Sequence, residues 1–273
     1  MEKISFVILT WNSEKYIKQC INSIQQLKKF KYEIIIIDNG SKDNTINFIE
    51  EKKINDKNIR LVKLDKNYGT TISRNKGLQI IDSPTHICIL DSDTIINENA
   101  IERMVFFLNS DMNIGIIGPK LVTSNGIIQN SGRNLPSFKE KFFKAIPIKK
   151  IQKIGEKFEV KRYTKNQNIK IVGYLMSACW LMRKDFLIKN GVLDEKIFYA
   201  PEDAEYCTRA WKNGYKIAYV EDVEIIHEWQ RLSKKRFFSK INFEHIKGLI
   251  YYWNKYNIKK INGIIEEFEQ NEK

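Results

Sequence analysis

The sequence predicts an α/β fold: a Rossmann-like, mostly parallel sheet flanked by helices, followed by a helical C-terminal tail. Three observations carry this prediction. Over the first hundred residues, short β-branched runs alternate with helical stretches, the pattern of parallel strands covered on both faces. Polar and acidic residues follow directly on three of those runs, where open parallel sheets bind their ligands. The chain has 273 residues, 42% hydrophobic and 12% aromatic, enough for a core that needs no disulfide or metal to fold.

The elements come in order. SFVILT reads as a buried strand, after which Ser13 is placed to cap a helix with Tyr16, Ile17, Cys20, Ile24 and Leu27 on one face. EIIIID is a second strand, and the turn NGSKDN leads into a helix carrying Ile46, Phe48 and Ile49. IRLVKL, a helix across Ser73 to Ile81, and HICIL repeat the unit. A helix from Asn97 to Asn109 then precedes IGIIG. From Pro119 the pattern loosens into turns and a segment rich in Phe and Lys. Regularity returns with IVGYLMSACWLMRKDF, a helix at PEDAEYCTRAW opened by Pro201, and short strands at KIAYV and VEII. The tail after Trp229 is helical, with apolar Phe237, Phe238, Ile241, Ile246, Leu249, Ile250, Trp253 and Tyr256.

The net charge of +13 is local. Ser137 to Lys170 holds 11 Lys/Arg and 3 Glu, and Arg231 to Lys260 holds 9 Lys/Arg and one Glu, so the remainder is slightly acidic. Two positive surfaces on an ordinary core do not describe a nucleic-acid binder, and no nucleic-acid recognition motif is present. Cys20, Cys88, Cys179 and Cys207 are scattered in apolar contexts, as buried free thiols are. The apolar run at the N-terminus is too short for a signal peptide. The longest apolar stretch, Ile171 to Met182, falls short of the ~20 residues of a spanning helix. The expectation is a cytoplasmic protein, with peripheral contact to the inner face of the membrane through the basic segments left open.

The polar residues of interest are Thr10, Trp11 and Asn12 after the first strand, Asp38, Asn39, Gly40 and Ser41 after the second, and Asp91 and Asp93 after HICIL. In extended backbone, residues two apart face the same side, so Asp91 and Asp93 converge. A hard divalent cation, Mg²⁺ or Mn²⁺, relieves their repulsion and bridges to substrate phosphates. The competing reading is a capping turn, with Asp93 or Thr94 starting the next helix. Neither GxxxxGK[ST] nor GxGxxG follows a strand, which removes the main support for kinase, ATPase and dinucleotide readings.

Taken together, VILTWNSEKYIKQCINSI, IIIIDNGSKDNT, NYGTTISRNKGL, LDSDT, GYLMSACWLMRKDF, GVLDEKIFYAPEDAEYCTRAWKNGYKIAYV and EIIHEW resemble the successive signatures of glycosyltransferase family 2. The resemblance runs in order from Ile4 to about Trp229. It implies the GT-A fold and transfer of a sugar from a nucleoside diphosphate with inversion of the anomeric centre. On this resemblance Asp38 reads the pyrimidine N3–H, and Thr10 and Trp11 flank the base, with Trp standing where the family usually has Tyr. Asn12, Asn67, Gly69 and Arg74 join the donor-binding set. Asp91 contacts ribose or metal, Asp93 binds the metal, and His227 matches a third metal ligand. Asp203 matches the general base, with Glu202 as the alternative base or an acceptor hydrogen-bond partner. His86 and His245 match no motif and read as structural.

The resemblance also implies a division: residues 1–229 form the GT-A domain, 1–118 its nucleotide-binding half and 119–229 its acceptor half with a basic insert at about 137–170. Residues 230–273 form a basic helical extension. The pattern around GVLDEKIFYAPEDAEYC, with a following His, looks most like the rhamnosyltransferase-like branch that builds bacterial surface polysaccharides and cell wall. A dTDP-L-rhamnose or UDP-hexose donor and a saccharide, lipid-linked or protein acceptor follow from it. The alternatives are a UDP-sugar protein glycosyltransferase, or a catalytically silent GT-A module that binds acidic polymer or membrane.

Overall fold

In the computed structural model, which describes residues 1–146, 148–159, 169–228 and 240–271, the first half alternates as predicted. β1 (Lys3–Thr10), α1 (Ile17–Gln25), β2 (Lys31–Asp38), α2 (Thr45–Asn55), β3 (Ile59–Lys63), α3 (Thr70–Leu78) and β4 (His86–Asp91) follow one another. These four strands lie parallel in the order β3-β2-β1-β4. Phe6, Val7 and Ile8 of β1 and Ile34 to Ile37 of β2 are fully buried, because helices cover both faces of the sheet.

β5 (Thr94–Ile95), α4 (Glu98–Ser110), β6 (Ile114–Val122), β7 (Ile128–Gln129), β8 (Gly132–Arg133), α5 (Phe138–Ala145) and α6 (Lys149–Glu159) come next. They lead to β9 (Ile169–Ile171), β10 (Tyr174–Leu175), β11 (Cys179–Arg183), α7 (Lys184–Asn190), α8 (Glu202–Lys212), β12 (Lys216–His227), α9 (Lys240–Lys255) and α10 (Ile258–Asn271). β11 runs antiparallel between β4 and β6, so both halves share one sheet, ordered β3-β2-β1-β4-β11-β6-β12-β5. KIAYV and VEII, read as two strands, form the single twelve-residue β12, with a register irregularity between Val220 and Glu224. Its far end pairs His227 with Thr94, one residue past the Asp91–Asp93 turn.

Three local expectations change. Ser13 does not cap α1 through its side chain: its hydroxyl meets Ser92 Oγ at 2.8 Å, and α1 begins at Ile17. α3 starts at Thr70 rather than Ser73, because Thr70 N–H donates to the Phe198 carbonyl at 2.6 Å. Gly69 precedes it with φ +85°, and any Cβ there would collide with Phe198. On α9, Leu249 and Tyr252 are buried, as is Tyr256 just after it, while Ile246 and Ile250 face solvent. Trp229 and the run from Arg231 through Lys234, Lys235, Arg236, Phe237 and Phe238 lie outside the described residues.

The described C-terminal helices dock on α8. Tyr252 Oη meets Thr208 Oγ1 at 2.8 Å, and Tyr256 O–H donates to Glu205 Oε1 at 2.7 Å. Lys255 reaches the same fully buried carboxylate at 2.8 Å. Gly248 lets α9 press on the Ala200 carbonyl, at the entry to α8. Among the described residues, no helix is long and apolar enough to cross a membrane. All four cysteines are buried and free.

Close packing of α3 on the sheet holds the first half together. A Cβ at Gly77 would lie 2.6 Å from Val7 Cγ1 and 3.3 Å from Ile37 Cγ1. Gly77→Val is therefore expected to cost about 1–3 kcal/mol of overpacking. Urea unfolding checks this; a midpoint equal to wild type would mean that α3 sits looser than described.

Candidate active site

The first corner of the site is the pair Thr10 and Asp38, register partners at the ends of β1 and β2. Both are buried, and Asp38 Oδ1 accepts the Ser41 N–H at 3.0 Å. Among the described residues Thr10 Oγ1 and Asp38 Oδ2 have no partner, which is costly for buried oxygens unless something supplies hydrogen-bonding groups. Trp11 stands beside them, 38% exposed. Asn12, at φ +50°, accepts the Lys42 N–H at 2.8 Å while its own N–H donates to Ser41 Oγ, so its side chain shapes the rim.

Asn39 organises the next loop. Its Nδ2 donates to Asn67 Oδ1 and the Gly69 carbonyl, and its Oδ1 accepts from Tyr68 N–H and Ser73 Oγ–H. Asn67 Oδ1 also accepts the Gly69 N–H at 2.9 Å. These bonds aim α3 and with it Arg74, whose guanidinium is 2% exposed. Arg74 bonds Asp91 Oδ1 at 2.7 Å, Ser177 Oγ at 2.8 Å and the Ser177 carbonyl at 3.2 Å, and meets Glu202 Oε1 at 3.4 Å. The arginine thus lies between the carboxylates of the two halves instead of extending into solvent.

Asp91, Asp93 and His227 converge at the end of β4: one ligand atom from each lies within 4.8 Å of the others. His227 Nε2 is 3.4 Å from Asp93 Oδ1 and 3.8 Å from Asp91 Oδ2. The carboxylates meet across a turn and not by strand alternation, since β4 ends at Asp91 and β5 starts at Thr94. The capping alternative fails, because Asn97 caps α4 by accepting the Ala100 N–H. Burial raises the Asp91 carboxyl above its ordinary range, with Arg74 opposing and Asp93 adding to it. Burial alone would lower the His227 imidazole, but Asp93 and then Asp91 hold it raised. The donor set fits a divalent cation. His227 Nδ1 faces Gln129 Oε1 at 2.6 Å, and its Nε2, a nitrogen that can ligate a cation, faces the two carboxylates.

The far side of the site is the first turn of α8, entered through the cis Ala200–Pro201 bond. Glu202 is buried and accepts from Arg74 and from Ser177 Oγ–H. Burial, then Asp203, pushes its carboxyl up to about 8. Asp203 is only half-buried, and its Oδ1 accepts the Ala204 N–H at 2.7 Å. Burial raises it too, against that backbone bond and the nearby Arg133 and Lys141. His86 and His245 stand elsewhere: His86 lies between Thr85 and Asn109 at the start of β4, and burial holds His245 down at about 4. Ser177, Gln129 and Arg133 complete the site without having been singled out from the sequence. Each lies in a short strand or turn with no spacing signal of its own.

Known proteins resemble this chain in sequence and in fold. The chain is 25% identical over 267 residues to the uncharacterized glycosyltransferase MJ1057 of Methanocaldococcus jannaschii, covering 92% of this chain and 83% of that one. It is 33% identical over 144 residues to the poly(ribitol-phosphate) beta-N-acetylglucosaminyltransferase TarP of Staphylococcus aureus, covering 50% of this chain. Only 40% of TarP is spanned. Among solved structures, the mannosyltransferase PcManGT from Pyrobaculum calidifontis, in complex with GDP-Man and Mn²⁺, matches with a TM-score of 0.60 at 14% identity. That match covers 92% of this chain and 63% of the other, and it is a likeness of fold, the GT-A arrangement. The profile described as glycosyl transferase family 2 matches residues 5–191, a span that contains Thr10, Asp38, Arg74, Asp91 and Asp93, and the chain belongs to that family.

Proposed function

We propose that the chain is a metal-dependent inverting hexosyltransferase, moving a sugar from a uridine or thymidine diphosphate donor to a hydroxyl of a surface polysaccharide or wall polymer. The observation that carries this reading is the convergence of Asp91, Asp93 and His227 at the end of β4, beside the unpartnered Thr10 and Asp38 oxygens. Asp38 Oδ2 is a free acceptor for a pyrimidine N3–H, and Trp11 offers an aromatic face to the base. UDP-hexose and dTDP-L-rhamnose both satisfy that chemistry. A donor panel read by released UDP, dTDP or GDP chooses among them. The name of TarP, and the poly-beta-1,6-N-acetyl-D-glucosamine synthase of S. aureus, 27% identical over 220 residues, favour a cell-envelope polymer as acceptor. On this reading residues 1–118 bind the nucleotide and 119–229 meet the acceptor. The lysines of α5 and α6, with exposed Phe138 and Phe142 among them, support a peripheral contact with a lipid-linked acceptor or membrane.

A bound Mg²⁺ or Mn²⁺ would supply Lewis-acid stabilisation of the departing diphosphate. Asp91, Asp93 and His227 would hold it. Asp203 takes the proton of the acceptor hydroxyl as that oxygen attacks the anomeric carbon and the bond to the diphosphate breaks. Its partial exposure and its carboxyl, raised by burial, suit a general base. Glu202 is occupied by Arg74 and Ser177 and acts by holding Arg74 in place.

Three outcomes check this. Asp93→Ala should abolish Mn²⁺-dependent donor binding in calorimetry while far-UV circular dichroism stays unchanged; wild-type turnover in metal-free buffer would show the site to be misassigned. Asp203→Asn should keep donor affinity within about twofold and lower kcat by about 10²–10⁴. Glu202→Gln should lose less, and the reverse order of damage would move the base to Glu202. The third concerns pH. Because Glu202 binds its proton more tightly folded than unfolded, the folded state holds more protons between about pH 4.3 and about 8, and stability falls as pH rises through that window. Urea midpoints of metal-free protein at pH 5, 6.5 and 8 should decline, and Glu202→Gln should flatten the decline.

A further inference from the structure

The hydrophobic pattern is inverted at β7. Ile127 and Ile128 are 56% and 64% exposed, while the next residue, Gln129, is 2% exposed. Burying an amide in place of an isoleucine costs free energy unless both ends of the amide are bonded. Here both are, and to the same residue. Gln129 Nε2–H donates to the His227 carbonyl at 2.6 Å, and Gln129 Oε1 faces His227 Nδ1 at 2.6 Å. The carbonyl only accepts, so the amide has one possible orientation, and that orientation turns its oxygen to the ring.

The hairpin before it sets this register. Gly126, at φ +75°, closes the turn through its N–H to the Thr123 carbonyl, which pairs Leu121 with Gln129. A slip of one residue would put Ile128 against His227. On the other side, Glu228 N–H donates to the Asp93 carbonyl at 3.1 Å, so His227 is held from both flanks.

We infer that Gln129 is a positioning residue for the cation corner: it keeps the His227 proton on Nδ1 and so reserves the Nε2 lone pair for a divalent cation. The inference rests on the metal reading proposed above. Without Gln129, the favoured place for the proton is Nε2, where it can donate to Asp93 and Asp91, and that bond competes with metal.

Two measurements on the full chain separate the parts. Long-range ¹H–¹⁵N correlation of ¹⁵N-histidine-labelled, metal-free protein at pH 9 reads the tautomer of His227, one of three histidines. Wild type should show the Nδ1–H form and Gln129→Met the Nε2–H form. Titration with Mn²⁺ alone should show dissociation weakened by about 10–100-fold in Gln129→Met. On a His227→Ala background, Gln129→Met should add no further loss. An unchanged tautomer, or an Mn²⁺ dissociation constant within twofold of wild type, overturns the role of Gln129. Wild-type protein that binds no Mn²⁺ overturns the metal reading and this role with it, while the tautomer result still tells whether Gln129 sets the ring. Gln129→Glu, which keeps an acceptor opposite Nδ1, should retain the Nδ1–H form; its loss there would also count against the inference.

Discussion

The buried guanidinium of Arg74 is the joint around which the site of this protein is built. Arg74 comes from α3, in the parallel half, and is buried between Asp91 at the end of β4 and Glu202 at the start of α8, with Ser177 bonding it from the chain entering β11. Removing a cation from water is costly, and two carboxylates with further hydrogen bonds offset that cost only where the geometry is good. The planar fork of arginine presents its donors in a fixed geometry that suits carboxylates on two sides, where lysine offers a compact point charge. The rest of the arrangement supports this joint. Asn39 and Gly69 aim α3, Asn75 ties α3 to the Leu193 backbone, and the Phe198 carbonyl accepts from Thr70. The loop carrying Pro201 is therefore set by contacts from the first half of the chain.

Among the described residues, the carboxylates around this joint outnumber its cations. Asp91, Glu202 and Asp203 are all raised, with burial as the largest cause. Such a pocket is destabilised in isolation and gains from any bound cation, which links ligand binding to stability. The overall charge of +13 hides this, because the excess of Lys and Arg falls in residues 137–170 and 231–260. Within α5 and α6, Glu140 and Glu159 turn inward to Lys141, Lys144 and Arg133.

The tail contributes to the same end. Glu205 lies one turn along α8 from Glu202 and is fully buried, yet Tyr256, Lys255 and Arg209 all reach it. The described C-terminal helices thereby hold α8, and the acidic residues at its start, against the sheet.

What the sequence by itself determined is the part governed by local pattern. Apolar runs that stop abruptly at Thr10, Asp38 and Asp91 mark strand ends, because a buried strand tolerates polar side chains only where it leaves the core. The same logic located Pro201 and the acidic first turn of α8, and the order of motifs identified the family. The tertiary structure decided the rest. β11 runs antiparallel within the sheet, a direction that an apolar run does not encode. Arg74 meets Ser177 across 103 residues, and Gln129 meets His227 across 98. Nothing in the neighbourhood of Gln129 distinguishes it from a solvent-facing residue. Its burial follows from the pairing of β7 with β6 and of β6 with β12, and pairing across the sheet is a property of register between distant strands.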